Sequence, residues 1–346
     1  MSVTETALPE PLSAQPALRP RTAHPLLRFV LRRVATGLLT LAVASFVVFL
    51  GTAVVPGSPA TAVLGRLANK QVVAQVDRRI GYDKPLPERY VTWLFGALHG
   101  DFGNSAVALA QGATSAPIWP IIRDPLLNTT TLAVITVIFL IPLSLLLGVI
   151  AGLTHGRLPD HVISVLTLVF MALPEFVVGA LLVVIFFVVL NLLPPVSLLS
   201  PGAKPWSDPQ ILVMPVLTLL AVSVAWTVRL VRVGTIETIR TDYVQMARLQ
   251  GLPERKVVRR YVLRNALAPS VQIFALSIQY LFGGVIVTET VFDYPGLGNQ
   301  LLQAVTSHDD TQVQAIAFIL AGVYIAINII ADLIVLVLVP KLRTQT

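Results

Sequence analysis

Among the polar residues of this chain, Glu175 has the most unusual position for its chemistry. It lies inside an otherwise uncharged run of 32 residues, 162–193, directly after Pro174. A carboxylate in a lipid bilayer costs several kcal/mol, so its presence there indicates a function. Proline removes a backbone donor and leaves room for water or a polar ligand. We therefore expect Glu175 to face a pathway through the membrane and to meet cationic groups of a cargo. The alternatives are a solvated vestibule or an ion pair with an arginine.

Amide side chains stand inside the later apolar segments. Gln272 and Gln279 are seven residues apart, which places them on one face of a helix. We expect both on the same pathway as Glu175, although such amides, like Asn328, also form hydrogen bonds between membrane helices. For Asp332, near the end of the last apolar run, we expect an ion pair with a basic residue at the membrane rim.

The catalytic arrangements that a sequence can reveal are missing. There is no G-x-x-x-x-G-K-[ST] segment for binding ATP phosphates, no H-E-x-x-H and no G-x-S-x-G. The chain has no cysteine, and its five histidines are scattered over loops and the ends of apolar runs. We therefore expect no catalytic site, no metal site and no cofactor bound by this chain.

The composition indicates a membrane protein. Of 346 residues, 55% are hydrophobic and 12% are charged, about half the ~25% charge of a typical soluble domain. The formal net charge of +7 fits either nucleic-acid binding or the basic cytoplasmic loops of a membrane protein. The low charge content predicts an all-α polytopic membrane protein.

Six runs are apolar and long enough to cross the ~30 Å hydrocarbon core of a bilayer. Split at Pro174, the run 162–193 would have a first piece too short to cross, so we predict one long, proline-kinked span. The predicted spans are 34–55, 126–152, 162–193, 211–227, 266–288 and 313–339.

The distribution of charge assigns the two sides of the membrane. Between Arg229 and Arg264 there are nine basic and three acidic residues. Because Lys and Arg concentrate in cytoplasmic loops, we expect this segment, called here the basic loop (232–265), in the cytoplasm. Both termini also carry basic residues beside their spans, and six crossings place both in the cytoplasm. The positive charge then reflects topology, and no nucleic-acid partner is expected.

Four segments follow from this topology. Residues 1–25 are rich in proline and lack apolar periodicity, so we expect a disordered cytoplasmic tail. Residues 28–56 form the first transmembrane helix, and 57–125 form an extracytoplasmic region with short amphipathic helices. The helix around Trp93 is expected in the membrane interface, with its aromatic side chains at headgroup depth. Residues 126–340 contain the other five spans and the basic loop.

The basic loop is predicted to form a short helix–turn–helix. Residues 241–250 form the first helix, Gly251 supplies a left-handed residue after it, and Pro253 suits the first turn of the second. The apolar side chains of the first helix offer a surface to a partner or, alternatively, to anionic lipid. They are Tyr243, Val244, Met246, Ala247 and Leu249.

The basic loop also resembles a known family. Its residues follow D-Y-V-x-x-A-R-x-x-G-L and then L-R-N-A-L-x-P, the form found in the dipeptide/oligopeptide/nickel branch of ABC-importer permeases. The general E-A-A-x-x-x-G motif is kept at Ala247 and Gly251, while Gln245 replaces its glutamate. The residues that carry the branch pattern are Asp242, Tyr243, Ala247, Arg248, Gly251, Leu252, Leu263, Arg264, Asn265, Ala266, Leu267 and Pro269.

Further segments resemble the same branch, in the same order along the chain. The resemblance leaves out only the tail that precedes the first span. The segments are 31–33, 55–60 (with Ser58 where the family has aspartate), 100–105, 289–298 and 340–343.

The resemblance implies a fold and a task. It implies the type I permease fold of an ABC importer in a bacterial inner membrane, with this chain forming half of the pathway for di- or oligopeptides. The implied partners are a homologous second permease, two ATPase subunits or domains that bind ATP and Mg²⁺, and an extracytoplasmic substrate-binding protein. Residues 242–252 would couple the chain to the ATPase. Nickel or glutathione-like solutes are the alternative cargo, and a self-contained secondary transporter is the alternative mechanism.

Overall fold

The computed structural model describes residues 25–54, 58–65, 69–200 and 202–338, and only the backbone of 25–28, 264–272 and 335–338. Residues 1–24 of the tail predicted over 1–25 lie outside the described residues. Residue 25 already begins the first helix.

The described residues form α-helices connected by loops, and no strand is found among them. The helices of the first part of the chain are α1 (Pro25–Val54), α2 (Pro59–Leu64), α3 (Lys70–Arg79), α4 (Leu86–Leu98) and α5 (Ala106–Ala110). They are followed by α6 (Ile118–Leu153), α7 (Leu158–Ala172), α8 (Glu175–Val183) and α9 (Gln210–Ile239). The last are α10 (Asp242–Leu249), α11 (Glu254–Val257), α12 (Leu263–Val291), α13 (Leu297–Thr306) and α14 (Asp310–Leu338).

Five of these helices are each long and apolar enough to cross a membrane, namely α1, α6, α9, α12 and α14. Helices α7 and α8 pass the same test only as a pair. Counted as one span, the pair brings the number to six. The all-α polytopic fold predicted from the sequence is confirmed.

The break between α7 and α8 is sharper than the predicted proline kink, because the two axes differ by 101°. Leu173 and Pro174 are extended, with ψ angles of 129° and 146°. A proline disfavours helical backbone in the preceding residue and has no N–H to continue the helix, so the helix ends and starts again at Glu175. Helix α8 continues as a π-helical stretch over Val184–Val189. The halves Leu158–Ala172 and Glu175–Val189 each measure about 22 Å, less than the ~30 Å hydrocarbon core. Neither half alone is long enough to cross, so the single span predicted here is a broken one: the bend lies at Pro174 as predicted, but it is a break between two helices and not a kink within one.

Helix α9 lies at the centre of the bundle and packs against α6, α7, α8 and α12. Two glycines of α6 allow its closest approach. A Cβ on Gly148 would lie 2.7 Å from the side chain of Val231, and one on Gly152 would lie 2.6 Å from Thr235. Small residues at this spacing are typical of packed membrane helices, because lipid supplies no hydrophobic drive and close van der Waals contact must replace it.

The 57–125 region contains the four short helices α2 to α5. Helix α4 packs on α1 and α14 through aromatic side chains. The ring centroids of Tyr90 and Phe49 are 5.2 Å apart, and those of Trp93 and Phe318 are 5.7 Å apart. The aromatic side of α4 therefore contacts the bundle, which differs from the interfacial orientation expected from the sequence.

Candidate functional site

The basic loop forms the expected helix–turn–helix. Helix α10 ends at Leu249, and Gly251 follows with a φ of 74° in the left-handed region. A Cβ at this position would meet nothing within 4 Å. Glycine is therefore favoured here by backbone conformation and not by space. Pro253 immediately precedes α11, and Glu254 occupies its first turn.

One side of α10 packs inward against the second helix of the loop. A small apolar cluster is formed by Val244, Ala247, Val257 and Val262. Leu252 packs against this cluster, and the Arg248 Nη2 lies 2.6 Å from the Glu254 Oε1 across the turn. Three of the predicted site residues, Ala247, Arg248 and Leu252, thus hold the helix–turn–helix together.

The other side of α10 is open. Tyr243, Met246 and Leu249 are 43%, 57% and 81% exposed. Asp242 begins the helix, where a carboxylate interacts favourably with the helix dipole. Three large apolar side chains are thus exposed together on one short helix, the kind of surface that a partner or a lipid bilayer covers.

The second helix of the basic loop does not stop before the membrane. Residues 254–257, a π-helical stretch 258–262 and α12 form one continuous helix from Glu254 to Val291. At the helical rise its length is about 57 Å. The sequence predicted a span beginning at residue 266. The structure instead joins the basic loop to the opposite end of the bundle by a single helix, called here the 254–291 helix.

Glu175 starts α8 and lies against the 254–291 helix. Its carboxylate contacts Gly284 and has the Tyr280 hydroxyl as a neighbour, while its Oε1 is buried without a hydrogen-bond partner among the described residues. Among the described residues, no arginine forms an ion pair with Glu175. Glycine at 284 leaves the space that the carboxylate occupies.

The other predicted polar residues join helices. Gln279 donates a hydrogen bond to Asn328 and thereby links α12 to α14. Arg33 forms an ion pair with Asp332 and links α1 to α14, which confirms the pairing predicted for Asp332. The side chain of Gln272 lies outside the described residues.

The most completely bonded site was missed by the sequence analysis. Glu289, near the end of the 254–291 helix, is fully buried. Its carboxylate accepts hydrogen bonds from the Thr129 hydroxyl at 2.5 Å and from the N–H groups of Gly298 and Asn299 at 2.6 and 3.4 Å. The Thr129 hydroxyl in turn accepts from the Leu297 N–H at 2.8 Å. We call this group the Glu289 clamp, and the end of the bundle that carries it the clamp end.

The clamp explains the G-L-G of the sequence. A Cβ on Gly296 would collide with the Glu289 carboxylate, and one on Gly298 would lie 2.6 Å from the Cα of Ile286. The carboxylate binds the N-terminus of α13, where free N–H groups and the helix dipole favour an anion. The available signal was an acid followed by Gly-x-Gly at the start of a helix. The sequence alone does not show that the start of α13 folds back onto the Glu289 carboxylate.

A second buried carboxylate fixes the start of α14. Asp309 accepts hydrogen bonds from the Ser105 hydroxyl, from the Ala106 N–H at 3.1 Å and from the Gln312 N–H at 3.3 Å. It thereby attaches the 100–105 segment to α14. Burial raises the pKa of Asp309, although these hydrogen bonds favour its charged form.

The fold defines a multi-pass helical membrane protein in which one side of α10 is exposed. Comparison with known proteins places it in a family. Residues 144–344 match the model described as "Binding-protein-dependent transport system inner membrane component", and residues 26–133 match the model for the N-terminal part of this membrane component.

Relatives match along almost the whole chain. The glutathione transport system permease protein of Salmonella choleraesuis is 33% identical over 318 residues, which cover 92% of this chain and 99% of the relative. The protein of the same name from Escherichia coli K12 is 31% identical with the same coverage. A Sinorhizobium fredii protein named "Probable peptide ABC transporter permease protein" is 28% identical over 317 residues, 91% of this chain and 99% of the relative.

The chain belongs to the family of binding-protein-dependent transport system inner membrane components. It is a permease subunit of an ABC importer, as the sequence resemblance predicted. Proteins of this family form the membrane component of the transporter, not its catalytic subunit, and work with ATPase and substrate-binding partners.

Proposed function

We propose that this chain forms half of the translocation pathway of an importer for di- or oligopeptides. The observation that carries the coupling part of this proposal is the 254–291 helix, which joins the open helix–turn–helix to the clamp end. The names of the relatives support the cargo, since one gives peptides and the others give glutathione, itself a small peptide. Glutathione-like solutes and nickel are the alternative cargoes.

The basic loop and both termini are on the cytoplasmic side of a bacterial inner membrane, and 57–125 is extracytoplasmic. Nine basic residues against three acidic ones in the 229–264 segment support this orientation. The chain contains no cysteine, so single-cysteine labelling in intact cells tests it. Lys256→Cys should resist a membrane-impermeant maleimide and Asp124→Cys should react. The reverse pattern would contradict the orientation.

The transporter contains two ATPase subunits or domains, which bind ATP and Mg²⁺, and one of them contacts this chain at Tyr243, Met246 and Leu249. A homologous second permease completes the pathway, and an extracytoplasmic binding protein delivers the cargo. Closure of the ATPases on ATP moves α10, and the 254–291 helix carries this movement to the clamp end. The bundle, with its transmembrane domain over 126–340, then changes from inward-facing to outward-facing.

Glu175 faces this pathway. The support is its position at the broken span, its partly unbonded carboxylate and the absence of a paired arginine among the described residues. A carboxylate there binds the cationic groups of the cargo, such as the amino terminus of a peptide.

Reconstitution tests the function. Proteoliposomes containing this chain, its second permease, the ATPases and the binding protein should take up a labelled dipeptide only with ATP. Glutathione and nickel, offered to the same vesicles, distinguish the alternative cargoes. Uptake by this chain alone, driven by an ion gradient, would contradict the proposal in favour of a secondary transporter.

A further inference from the structure

A polar cleft of about 580 Å³ lies beside the basic loop. The turn between α6 and α7, the end of α9 and the α10–α11 pair line it. The exposed side chains Tyr243, Met246 and Leu249 are not among its lining residues. The cleft is therefore a second surface feature at the same end of the bundle.

The cleft has an excess of positive charge. Arg248 in its wall is paired with Glu254. His155 contacts Asp160, which Arg232 holds by hydrogen bonds at 2.5 and 2.8 Å. The remaining two basic residues of the wall, Arg157 and Arg240, are exposed, and neither side chain has a hydrogen-bond or ion-pair partner among the described residues. Two guanidinium groups in one cleft are thus left without a counter-charge from the described chain.

The depth of the cleft favours a protein partner over a lipid headgroup. Helix α9 has no charged residue before Arg229, and Arg240 follows eleven residues later, about 16 Å along the axis. The headgroup layer adds only about 5–8 Å beyond the hydrocarbon core on each side. With Arg229 taken as the edge of the hydrocarbon core, Arg240 is placed beyond the lipid phosphates, in the aqueous layer where a partner subunit would bind.

We propose that this cleft receives an Asp or Glu side chain of the ATPase subunit, whose carboxylate binds Arg157 and Arg240. This inference rests on the proposed function, since it takes the ATPase to be at this end of the bundle. Guanidinium groups bind carboxylates through paired, charge-assisted hydrogen bonds, and partial enclosure strengthens them.

Such a contact would add a second point of attachment beside α10. Arg157 belongs to the α6–α7 turn and Arg240 ends α9, so one carboxylate would connect both elements to the ATPase. Movement of the ATPase would then act directly on α7, the first half of the broken span, and Glu175 begins the second half.

Zero-length cross-linking tests the contact in the assembled transporter. Arg157→Lys and Arg240→Lys keep the charge and introduce an amine, which a carbodiimide joins to a carboxylate in direct contact. Arg260→Lys is the matched control, because it is exposed on the same loop and does not line the cleft. We expect an amide between position 157 or 240 and an acidic ATPase residue, identified by mass spectrometry, and several-fold less product at 260.

A complex that assembles but gives no such amide, or gives only lipid adducts, overturns the inference and leaves the proposed function intact. If the parent chain fails to co-purify with any ATPase, the proposed function itself is contradicted.

Charge reversal provides an independent measurement. In the double variant Arg157→Glu/Arg240→Glu, the amount of ATPase subunit that co-purifies with the chain should be roughly tenfold lower than for the parent. A lysine at the cross-linked acid of the ATPase should restore binding. The control Arg259→Glu/Arg260→Glu changes the net charge by the same amount, at exposed positions outside the cleft. Equal losses in both double variants would show a general charge effect and overturn the inference.

Discussion

The two ends of the 254–291 helix differ in how their charged side chains are partnered. At the clamp end, Glu289 is fully buried and its carboxylate accepts three hydrogen bonds from this chain. At the loop end, Arg157 and Arg240 have no side-chain partner within the described ranges, and the open side of α10 exposes large apolar groups. The clamp end is complete within one chain, whereas we propose that the loop end is completed by the ATPase subunit.

Access to water explains the difference. A buried carboxylate without hydrogen-bond donors is very costly, so a fold retains one only where it supplies the donors. An arginine in water has no such cost and remains available to a partner. Asp309 and Asp160 follow the same rule as Glu289, since both are buried and both accept several hydrogen bonds. In this molecule the fully bonded buried acids are fixed joints, whereas the guanidinium groups that line the cleft are available to a partner.

Removing the clamp carboxylate should have the largest effect. Glu289→Ala leaves the buried Gly298 N–H and Thr129 hydroxyl without their acceptor, at about 1–3 kcal/mol for each group. We expect the thermal midpoint, measured by size-exclusion chromatography of heated detergent samples, to fall by about 5–10 °C. Glu289→Gln, which keeps one acceptor oxygen, should lose less. Asp124→Asn is the matched control at an exposed acid. If Glu289→Ala and this control have equal thermal midpoints, the Glu289 clamp does not stabilise the fold.

Strain at the loop end should uncouple the transporter without unfolding it. In Gly251→Val a β-branched residue must adopt φ near 74°, at a cost of about 1–2 kcal/mol or a redirected turn. Because space around position 251 is open, the bundle should assemble normally while cargo-stimulated ATP hydrolysis is lost. Gly251→Asn, whose side chain tolerates this conformation, should keep the coupling. If coupling is normal in the valine variant, the backbone conformation at Gly251 is not required to transmit energy from the ATPase to the bundle.

Glu175 lies between the two ends and should affect transport alone. Glu175→Gln keeps the shape of the side chain and removes its charge, so we expect slower uptake of cationic peptides and unchanged assembly. Uptake of an N-acetylated peptide should change less, because it lacks the cationic terminus. The control is Glu88→Gln, at an acid that pairs with Lys84 on the surface. Identical uptake by the parent and Glu175→Gln would reduce Glu175 to a structural residue.

The elements with a local cause were predictable from the sequence. Apolar length gave the spans, and the order of Gly251 and Pro253 gave the turn, because a left-handed residue and a helix start are decided within a few residues. The break at Pro174 was located correctly but its angle was not, since packing of α8 on α9 and α12 sets that angle. The length of the 254–291 helix was missed because a charged segment outside the membrane gives no apolar signal.

The clamp was not predictable for a different reason. Its partners Thr129, Glu289 and Gly298 come from three helices, up to 169 residues apart in the chain. No periodicity relates such residues. Similarly, Tyr243 and Ala247 are equivalent apolar residues of α10 when only the sequence is considered. The structure separates them, because only Ala247 packs against Val257.

The Arg33–Asp332 pair should have the smallest effect, and its size tests the rule that exposed charges contribute little. Its side chains are 44% and 32% exposed on the surface of the bundle, and at the predicted membrane rim headgroup water would solvate Asp332 when its partner is removed. Pairs of this exposure typically contribute ~0–1 kcal/mol, and we expect Arg33→Ala to lower the thermal midpoint by at most about 2 °C. Arg32→Ala, next to it and outside the ion pairs of the described chain, is the control. A loss as large as that of Glu289→Ala would mean that lipid, not water, surrounds the pair. Asp332 would then be a fixed joint like the clamp, and exposure in the isolated chain would no longer identify contact residues within the membrane.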